Sequence, residues 1–578
     1  MPTPPGFSGI TLLPGLLVMV LCAGIANAAP NPCVRYAPGS IVQEPQDLFS
    51  QNGVLTVNLS YNTGTDANGL TLYCFTTADG TESPTLHVNP GDTLIVNVTN
   101  NLPAPASADD MKPATIASDT VCGDTTMNAS SVNIHYHGTN TPPTCHADEV
   151  IHTLVNSGET FTYTVLFPSD EPPGAYWYHP HVHGISEAAV QGGASGAIIV
   201  DGIENVQPKV AGLPTRVLVI RDQPVPDSAM TGDPAQIPAW DVSLNYVPVL
   251  YPAYQPAIIQ MMAHDKEFWR VVNASADTII DLQLKYDGRT QPLELVALDG
   301  VPIGSQDGAR KGRLQRRTHI LLAPAARAEF IVKGPSVKVK SALLITRNVD
   351  TGPVGDIDPQ RPLAAIQVVS GATAAALHVA NMPQASHAPG PQRFEGLADA
   401  KVTAQRTLYF SETLPPDDQE PTFFITVDGA TPTAFDPDNP PAIVTTQGSV
   451  EDWTIENRSH ENHEFHIHQI HFLLLARDGV GVAPANRQYL DMIDIPFWKG
   501  RGPYPSVKVR MDFRGQDIGD FVYHCHILEH EDNGMMAIIR VLSATASAQD
   551  KAAALRRVTS KVPAPKMCRR VKLINYTR

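Results

Sequence analysis

Apolar and polar residues alternate in three similar stretches of this chain. In each stretch a first residue is followed at +5, +7 and +9 by two apolar residues and an asparagine: Gly91 with Val96, Val98 and Asn100; His264 with Trp269, Val271 and Asn273; Gly448 with Trp453, Ile455 and Asn457. A period of two predicts a strand with one face toward a core, and asparagine is typical of the turn that ends it. The repeat predicts three similar all-β units, each a Greek-key sandwich.

Further short strands fit the same pattern, at Gly196–Asp201, Leu293–Leu298 and Phe423–Asp428. We place a first domain at residues 34–202, a second at 203–375 and a third at 400–545. The Ala-, Gly- and Pro-rich stretch at 376–399 is predicted to link the last two.

Length and composition agree with several β domains. A chain of 578 residues is too long for one core, and its 51 prolines and 41 glycines indicate many turns. A net charge of −17 argues against a broad affinity for nucleic acid. The tail at 546–578 is basic instead, with nine Lys or Arg and one acid from Asp550 onward. It is either a solvated tail or a contact for an anionic surface or partner.

The N-terminus is predicted to be a signal peptide at residues 1–28. An apolar stretch from Ile10 to Ile25 precedes Ala26-Asn27-Ala28, and we expect cleavage after Ala28, although no Lys or Arg occurs before Arg35. No other apolar run approaches the roughly 18 residues of a membrane span. We therefore expect an exported protein, periplasmic or extracellular, without a transmembrane segment.

The cysteines fit an oxidising compartment. Of seven, Cys22 is expected to leave with the signal and Cys525 lies in a histidine-rich string, so five remain and allow at most two disulfides. Cys122 and Cys145 flank a histidine pair, and we favour that bridge. The pairing of Cys33, Cys74 and Cys568 stays open.

Four short histidine-rich strings carry the chemistry: His135-Tyr136-His137, His179-Pro180-His181, His463-Glu464-Phe465-His466-Ile467-His468, and His524-Cys525-His526 followed by His530 and Met535. For 20 histidines in this chain, chance gives roughly 0.7 His-x-His pairs, and the sequence holds five. Four such strings resemble the multicopper oxidase family, in its three-domain, laccase-like, bacterial form.

The resemblance implies three consecutive cupredoxin-like domains, of Greek-key sandwich or barrel form, and four copper ions. His135 and His466 would bind the mononuclear type 2 copper. Of the type 3 pair, one ion would take His137, His179 and His526, and the other His181, His468 and His524. The second domain has no histidine pair and is expected to be a spacer.

Strand geometry explains the spacing. Successive side chains point to opposite faces, so His-x-His places two imidazoles on one face. In the last string, His524 and His526 would face the cluster while Cys525 faces away. Cys525 would then bind a type 1 copper with His463, His530 and a weak axial Met535, which is a blue electron-transfer site.

Two acids are candidates for moving protons to dioxygen. Glu531 matches the acid of the resemblance, and Asp148, with Glu149 as a competitor, is its expected partner. Orienting a ligand histidine is the alternative role for each. We expect His183, His460 and His471 not to bind metal, and Trp177, Trp269 and Trp453 to lie in cores.

The predicted function is one-electron oxidation of a phenolic or aromatic reductant, coupled to four-electron reduction of dioxygen to water. The alternative is a Cu(I) or other metal-ion oxidase in copper tolerance. Such relatives often carry a methionine-rich segment, and the 13 methionines here form no dense cluster.

Overall fold

The computed structural model describes residues 31–105, 111–113, 122, 126–231, 233–307, 312–370, 392–415 and 421–554, together with Met1, Met382 and Gln384. The predicted signal peptide, most of the predicted linker and the tail after Ala554 lie outside the described residues. The chain divides into two units, Met1–Asn31 and Pro32–Arg578, and every element below belongs to the second.

The first part of the chain forms two sheets and a separate pair of antiparallel strands. Its strands are β1 Asp47–Phe49, β2 Val54–Thr65, β3 Thr71–Thr76, β4 Thr85–Val88, β5 Thr93–Asn100, β6 Met111–Pro113, β7 Thr126–Asn128, β8 His135–His137, β9 Thr160–Leu166, β10 Gly174–His179 and β11 Gly196–Val200. The sheets have the orders β1-β4-β11-β10-β8 and β3-β2-β5-β9, and β6 pairs with β7.

The middle part forms two larger sheets. Its strands are β12 Thr215–Pro224, β13 Trp240–Leu244, β14 Val247–Val249, β15 Ala257–Met262, β16 Lys266–Asn273, β17 Ile280–Tyr286, β18 Arg289–Thr290, β19 Leu293–Leu298, β20 Val301–Pro302, β21 Gln315–Arg317, β22 Ile320–Leu322, β23 Arg327–Lys333, β24 Ala342–Thr346 and β25 Arg361–Val369. The orders are β14-β13-β12-β16-β23-β19-β20, with β21 on β19, and β15-β25-β24-β17-β18, with β22 on β17.

The last part repeats this two-sheet arrangement. Its strands are β26 Ala404–Thr413, β27 Thr422–Val427, β28 Ile443–Thr446, β29 Ser449–Asn457, β30 His463–Ile467, β31 Phe472–Arg477, β32 Val480–Gly481, β33 Tyr489–Leu490, β34 Met492–Ile495, β35 Ser506–Phe513, β36 Gly519–Cys525 and β37 Met536–Leu542. The orders are β27-β26-β29-β35-β31-β32, with β33 on β31, and β28-β37-β36-β30-β34.

Helices are short and few in the described residues. They are α1 Ser186–Gln191, α2 Ile203–Val206, α3 Leu528–Asp532 and α4 Ala548–Ala554, with single 3-10 turns at Asp227–Ala229, Pro234–Gln236, Leu397–Asp399 and Pro484–Asn486. The all-β prediction is confirmed. None of these helices has the length and hydropathy of a membrane-spanning segment.

The three repeated strands occupy equivalent places. Each pairs in parallel with an earlier strand and antiparallel with a later one: β5 with β2 and β9, β16 with β12 and β23, β29 with β26 and β35. The apolar positions of each repeat are buried in a core shared by two sheets. The domain boundaries themselves stay a prediction.

The asparagine that ends each repeat is fully buried and joins neighbouring loops. The Nδ2 of Asn100 donates to the carbonyls of Ser130 and Val155, at 2.6 and 2.8 Å. Asn273 and Asn457 donate to loop carbonyls in the same way. Because a buried amide must find partners, this residue fixes the turn where each sandwich closes.

Two disulfides hold the first part of the chain. The favoured Cys122–Cys145 bridge is present, and Cys33 pairs with Cys74, which the sequence had left open. Cys525 is a free, buried cysteine. Cys568 lies outside the described residues.

Candidate metal centre

Four strand segments carry the histidine strings to one place. In the first part of the chain, β8 pairs with β10 so that His135 lies opposite His179. In the last part, β30 pairs with β36 so that His466 lies opposite His524. Each antiparallel pairing therefore brings two of the strings side by side.

The two pairs of strings face each other and form a cage of eight imidazoles: His135, His137, His179, His181, His466, His468, His524 and His526, each 0–1% exposed. Rings from opposite ends of the chain stack across the seam, His135 on His468 at 3.8 Å and His137 on His466 at 4.0 Å between centroids. The Nε2 of His524 lies 3.4 Å from that of His181 and 3.1 Å from that of His468.

The outer ring nitrogens are held by acceptors behind the cage. The Nδ1 atoms of His179, His466 and His524 donate to the carbonyls of Pro180, Asp491 and Cys525, at 2.8, 2.9 and 2.8 Å. Because these bonds hold the Nδ1 side of each ring, the Nε2 of the same ring points into the cage. Burial lowers the pKa of the cage histidines below its usual value, for His524 to about 4, so that the imidazoles are neutral near pH 7. The neutral form is the one that binds metal ions.

A second donor set lies beside the cage. The Sγ of Cys525 is 3.7 Å from the Nδ1 of His463 and 3.6 Å from the Nδ1 of His530, and these two nitrogens are 3.0 Å apart. Met535 is fully buried in the same apolar core as Cys525, and its carbonyl accepts a hydrogen bond from the Cys525 N–H at 3.1 Å. A thiol and two imidazoles are therefore assembled, and Met535 packs in the same core beside them.

The two acids singled out in the sequence touch cage histidines. The Nδ1 of His135 is hydrogen-bonded to Asp148 at 2.9 Å. Glu531 lies 3.1 Å from the Nδ1 of His524 and 3.6 Å from that of His181. Glu149, the competitor of Asp148, instead caps the backbone of the following turn.

Both acids are buried, and burial sets their protonation. It raises the pKa of Glu531 to about 7, although the neighbouring His181 opposes the shift. It raises the pKa of Asp148 well above its usual range, although the Tyr136 N–H and the Gln469 amide bind the carboxylate and oppose the shift. Each can hold a proton close to the cage.

The structure adds residues that the sequence did not single out. Asp491 lies 3.4 Å from the Nε2 of His137, and it forms a bidentate ion pair with Arg327 from the middle part of the chain. The middle part therefore contributes a charged residue next to the cage. Neither residue belongs to a motif, so no sequence signal marked them. Trp177 is buried as predicted, and it also stacks on His179 at 4.1 Å.

Three further histidines that the sequence singled out lie outside both donor sets, although the Nε2 of His471 is 3.5 Å from the Oδ2 of Asp491. His183 packs edge-on against Phe435 at 4.8 Å. His460 stacks on Trp498 at 5.7 Å. His471 is buried, and its Nε2 lies 2.9 Å from the Asp299 carbonyl oxygen.

A cavity of about 540 Å³ opens beside the second donor set, and His530 is part of its wall. Five acids also line it, namely Asp277, Asp356, Asp358, Glu461 and Glu529, and within the described chain no Lys or Arg does. The carboxylate of Glu461 lies 3.6 Å from the Nε2 of His530. A molecule in this cavity can therefore reach the imidazole edge of His530.

Comparison with known proteins agrees with this geometry. Two family models, both described as multicopper oxidase, match residues 125–205 and 411–544. The multicopper oxidase mco of Staphylococcus haemolyticus is 25% identical over 389 residues, which cover 65% of this chain and 70% of that protein.

Two solved structures share the fold. A multicopper oxidase from Campylobacter jejuni, described as a metallo-oxidase, has a TM-score of 0.60 at 21% identity, covering 87% of this chain and 96% of that one. A laccase-like multicopper oxidase from Ochrobactrum sp., with activity towards lignin model compounds, has a TM-score of 0.59 at 19% identity, covering 87% of this chain and 100% of that one. The histidine cage, its neighbouring thiol and these matches lead to one conclusion: the two matched regions are multicopper oxidase domains, and the protein is a copper oxidoreductase that uses dioxygen.

Proposed function

We propose that this protein oxidises a small reductant at the Cys525 site, one electron at a time, and reduces dioxygen to water at the histidine cage. The observation that carries the proposal is the direct link between two different donor sets. Cys525 belongs to the thiol set, and its chain neighbours His524 and His526 belong to the cage.

The residues present fit copper. The Nε2 atoms of His135, His179, His466 and His526 are buried and have no hydrogen-bond partner among the described residues. Such groups are costly in a protein interior unless something binds them. Burial also raises the pKa of the Cys525 thiol, so a thiolate there needs a cation beside it. Imidazoles and a thiolate are ligands that copper prefers.

We assign the ligands as the resemblance to the multicopper oxidase family implies. His135 and His466 would hold the type 2 copper. His137, His179 and His526 would hold one type 3 copper, and His181, His468 and His524 the other. The mutual proximity of the donor atoms of His181, His468 and His524, within 4.8 Å, supports the last set. Cys525, His463, His530 and the axial Met535 would hold the type 1 copper.

Copper in these places would supply one-electron oxidation at the first site and the four-electron reduction of dioxygen at the second. The chain provides the route between them. His530 meets the reductant at the cavity wall, and the backbone of Cys525 leads in both directions to a cage histidine. All eight rings are buried, so the cage is shielded from bulk solvent.

Dioxygen reduction also consumes protons, and Glu531 and Asp148 are the proposed donors. Glu531 lies between the Nδ1 atoms of His181 and His524, and Asp148 lies behind His135. Both roles that the sequence left open fit these contacts. The carboxyl group orients the ring, and in its protonated form it can also release a proton toward the cage.

The reductant is proposed to be a phenol or aromatic amine, as for a laccase. A second candidate is a metal cation such as Cu(I), and one observation favours it. Acids line this cavity, and those that are ionised give it a negative field, which attracts cations and a protonated amine more than a neutral phenol. Burial raises the pKa of Asp277 well above its usual range and that of Asp358 to about 7, so these two contribute less to the field. Of the two solved structures, one is described as a metallo-oxidase and the other as active towards lignin model compounds.

Export to the periplasm or the cell exterior belongs to the same proposal. The two disulfides support it, because such bonds persist in oxidising compartments.

Metal analysis and oxygen consumption test the function. The copper-loaded protein should hold about four copper ions per chain and consume dioxygen with a reductant. A neutral phenol, a protonated aromatic amine and Cu(I) should be compared at equal driving force. A loaded protein that binds copper yet consumes no oxygen with any of the three would overturn the proposal in favour of a copper-carrying protein.

A further inference from the structure

We propose that Arg327 is a positioning residue of the copper cage and that it acts through Asp491. The inference rests on the proposed function, in which the cage histidines hold copper. It gives the middle part of the chain, which has no histidine pair, a role in shaping the metal site.

Arg327 and Asp491 form a buried, bidentate ion pair. The Nη1 and Nη2 atoms of Arg327 donate to the two carboxylate oxygens of Asp491 at 2.7 and 2.6 Å. Both side chains are 0% exposed. The guanidinium is itself held, since its Nε donates to the Ala175 carbonyl at 3.1 Å and its Nη1 to the Ala325 carbonyl at 3.2 Å. Because Nε, Nη1 and Nη2 are all hydrogen-bonded, the guanidinium group is held in one orientation. It therefore fixes the plane of the Asp491 carboxylate.

Asp491 in turn touches histidines from both halves of the cage. Its Oδ1 lies 3.4 Å from the Nε2 of His137, and its backbone carbonyl accepts a hydrogen bond from the Nδ1 of His466 at 2.9 Å. A carboxylate beside one ring nitrogen keeps the proton there and leaves the other nitrogen for metal. The Nδ1 of His137 and the Nε2 of His466, the nitrogens left for metal, have no hydrogen-bond partner among the described residues. The Nε2 of His137 approaches Asp491 without completing a hydrogen bond, so the carboxylate acts on this ring by its charge and position. One residue therefore orients proposed ligands of two different coppers.

All three parts of the chain meet at this pair. Gly138, which directly follows His137, lies so close that a Cβ there would be 2.2 Å from the Nη2 of Arg327 and 2.5 Å from the Oδ2 of Asp491. Its φ of +84° also favours glycine. The close approach leaves room for the planar fork and for nothing bulkier. The cage thus depends on a residue 164 positions before Asp491.

The test is Arg327→Lys in the copper-loaded protein, which keeps the charge but loses the fork. Residues that hold metal ligands from behind typically contribute ten- to a hundred-fold to metal affinity. The variant cage should therefore lose its copper to a competing chelator at a chelator concentration roughly ten- to a hundred-fold lower than for the wild type. The electron paramagnetic resonance signal of the mononuclear cage copper should also change. The blue absorption of the Cys525 site, which Arg327 does not touch, should persist and serve as an internal standard.

Arg216→Lys is the matched control. Arg216 lies in the same part of the chain, is 4% exposed, and pairs with Glu267 through its Nε and Nη2 at 2.6 and 3.2 Å. The Arg216→Lys protein should be less stable than the wild type but should keep its cage copper. If Arg327→Lys fails to fold, Asp491→Asn, which preserves size, provides the same readouts.

The outcomes separate the two proposals. A loaded wild-type protein without cage copper contradicts the proposed function. Full cage copper and an unchanged resonance signal in Arg327→Lys or Asp491→Asn contradict only the positioning role, as does an equal loss in Arg216→Lys.

Discussion

The backbone N–H of Glu464 donates a hydrogen bond to the sulfur of Cys525 at 3.3 Å. The carbonyl of the same residue accepts the N–H of His526 at 2.9 Å. Glu464 therefore ties β30 to the end of β36 at the point where the thiol set and the cage adjoin. Because side chains alternate along a strand, a slip of one residue in this register would exchange the faces of His524 and Cys525. The register of β30 and β36 therefore keeps Cys525 in the thiol set and His524 in the cage.

Replacing Cys525 by Ser should abolish the intense blue absorption and leave about three copper ions per chain. The thiolate is the ligand responsible for the colour, while His524 and His526 keep their place in the cage. Visible spectroscopy and metal analysis measure both effects. Met535→Leu is the control, because it keeps the thiolate: its colour should remain and its reduction potential should rise. Undiminished colour in Cys525→Ser would refute the ligand assignment.

Glu531→Gln should slow oxygen reduction by roughly a hundred-fold or more, since a positioned proton donor contributes about that factor. Reduction of the blue site by the reductant, followed by stopped flow without oxygen, should stay at the wild-type rate. Asp532→Asn is the matched control, because Asp532 instead accepts the N–H groups of Gly184 and Glu187. A normal turnover rate in Glu531→Gln would remove this residue from the proton path.

Asp356→Asn should raise KM for cationic reductants by a few-fold, because it removes one negative charge from the cavity wall. The amide can still accept the hydrogen bond that the Trp240 indole gives Asp356 at 2.7 Å. Steady-state kinetics with Cu(I), a protonated aromatic amine and a neutral phenol measure the effect. Asp350→Asn, in the same loop but outside the cavity wall, should change none of them. An equal change for the phenol would argue against an electrostatic role.

Removing the Cys122–Cys145 bridge by a double Ser substitution should cost about 3 kcal/mol of stability. The two cysteines are 23 positions apart, and a cross-link over that span restricts the unfolded chain. The entropy that the unfolded chain loses in this way corresponds to roughly this free energy. His135 and His137 lie inside the loop, so the variant should also lose cage copper faster on heating. Denaturant unfolding and metal analysis measure the two effects. A variant as stable as the wild type would show that packing alone holds the loop.

Glu171→Gln should flatten the dependence of stability on pH. Burial raises the pKa of Glu171 to about 7, against the opposing charge of Arg393, so the folded protein keeps a proton that the unfolded chain releases near 4.5. Between these values the folded state binds more protons, and the free energy of unfolding falls as pH rises, by up to about 1.4 kcal/mol per pH unit for this one group. Gln does not titrate. Denaturant midpoints of both proteins between about pH 5 and pH 7.5 should diverge accordingly, whereas parallel curves would contradict the assignment.

Local patterns were sufficient for much of this protein. The repeats of Val96, Trp269 and Trp453 predicted buried strands, and all three form them. The spacing in His524-Cys525-His526 predicted two faces, and the structure brings Cys525 to His463 while His524 meets His468. Predictions of this kind succeed because the alternation of side chains along a strand is set by covalent geometry within a few residues.

Contacts between distant parts of the chain were not readable in this way. Nothing in the sequence linked Arg327 to Asp491, paired Cys33 with Cys74, or gathered the five acids around His530. Each depends on how the sheets pack and where loops meet, and residues far apart in sequence become neighbours only when those sheets share a core. The order of residues alone determined which side chains could bind metal; the tertiary fold decided what holds them in place, because that is a matter of packing between segments rather than of spacing along one strand.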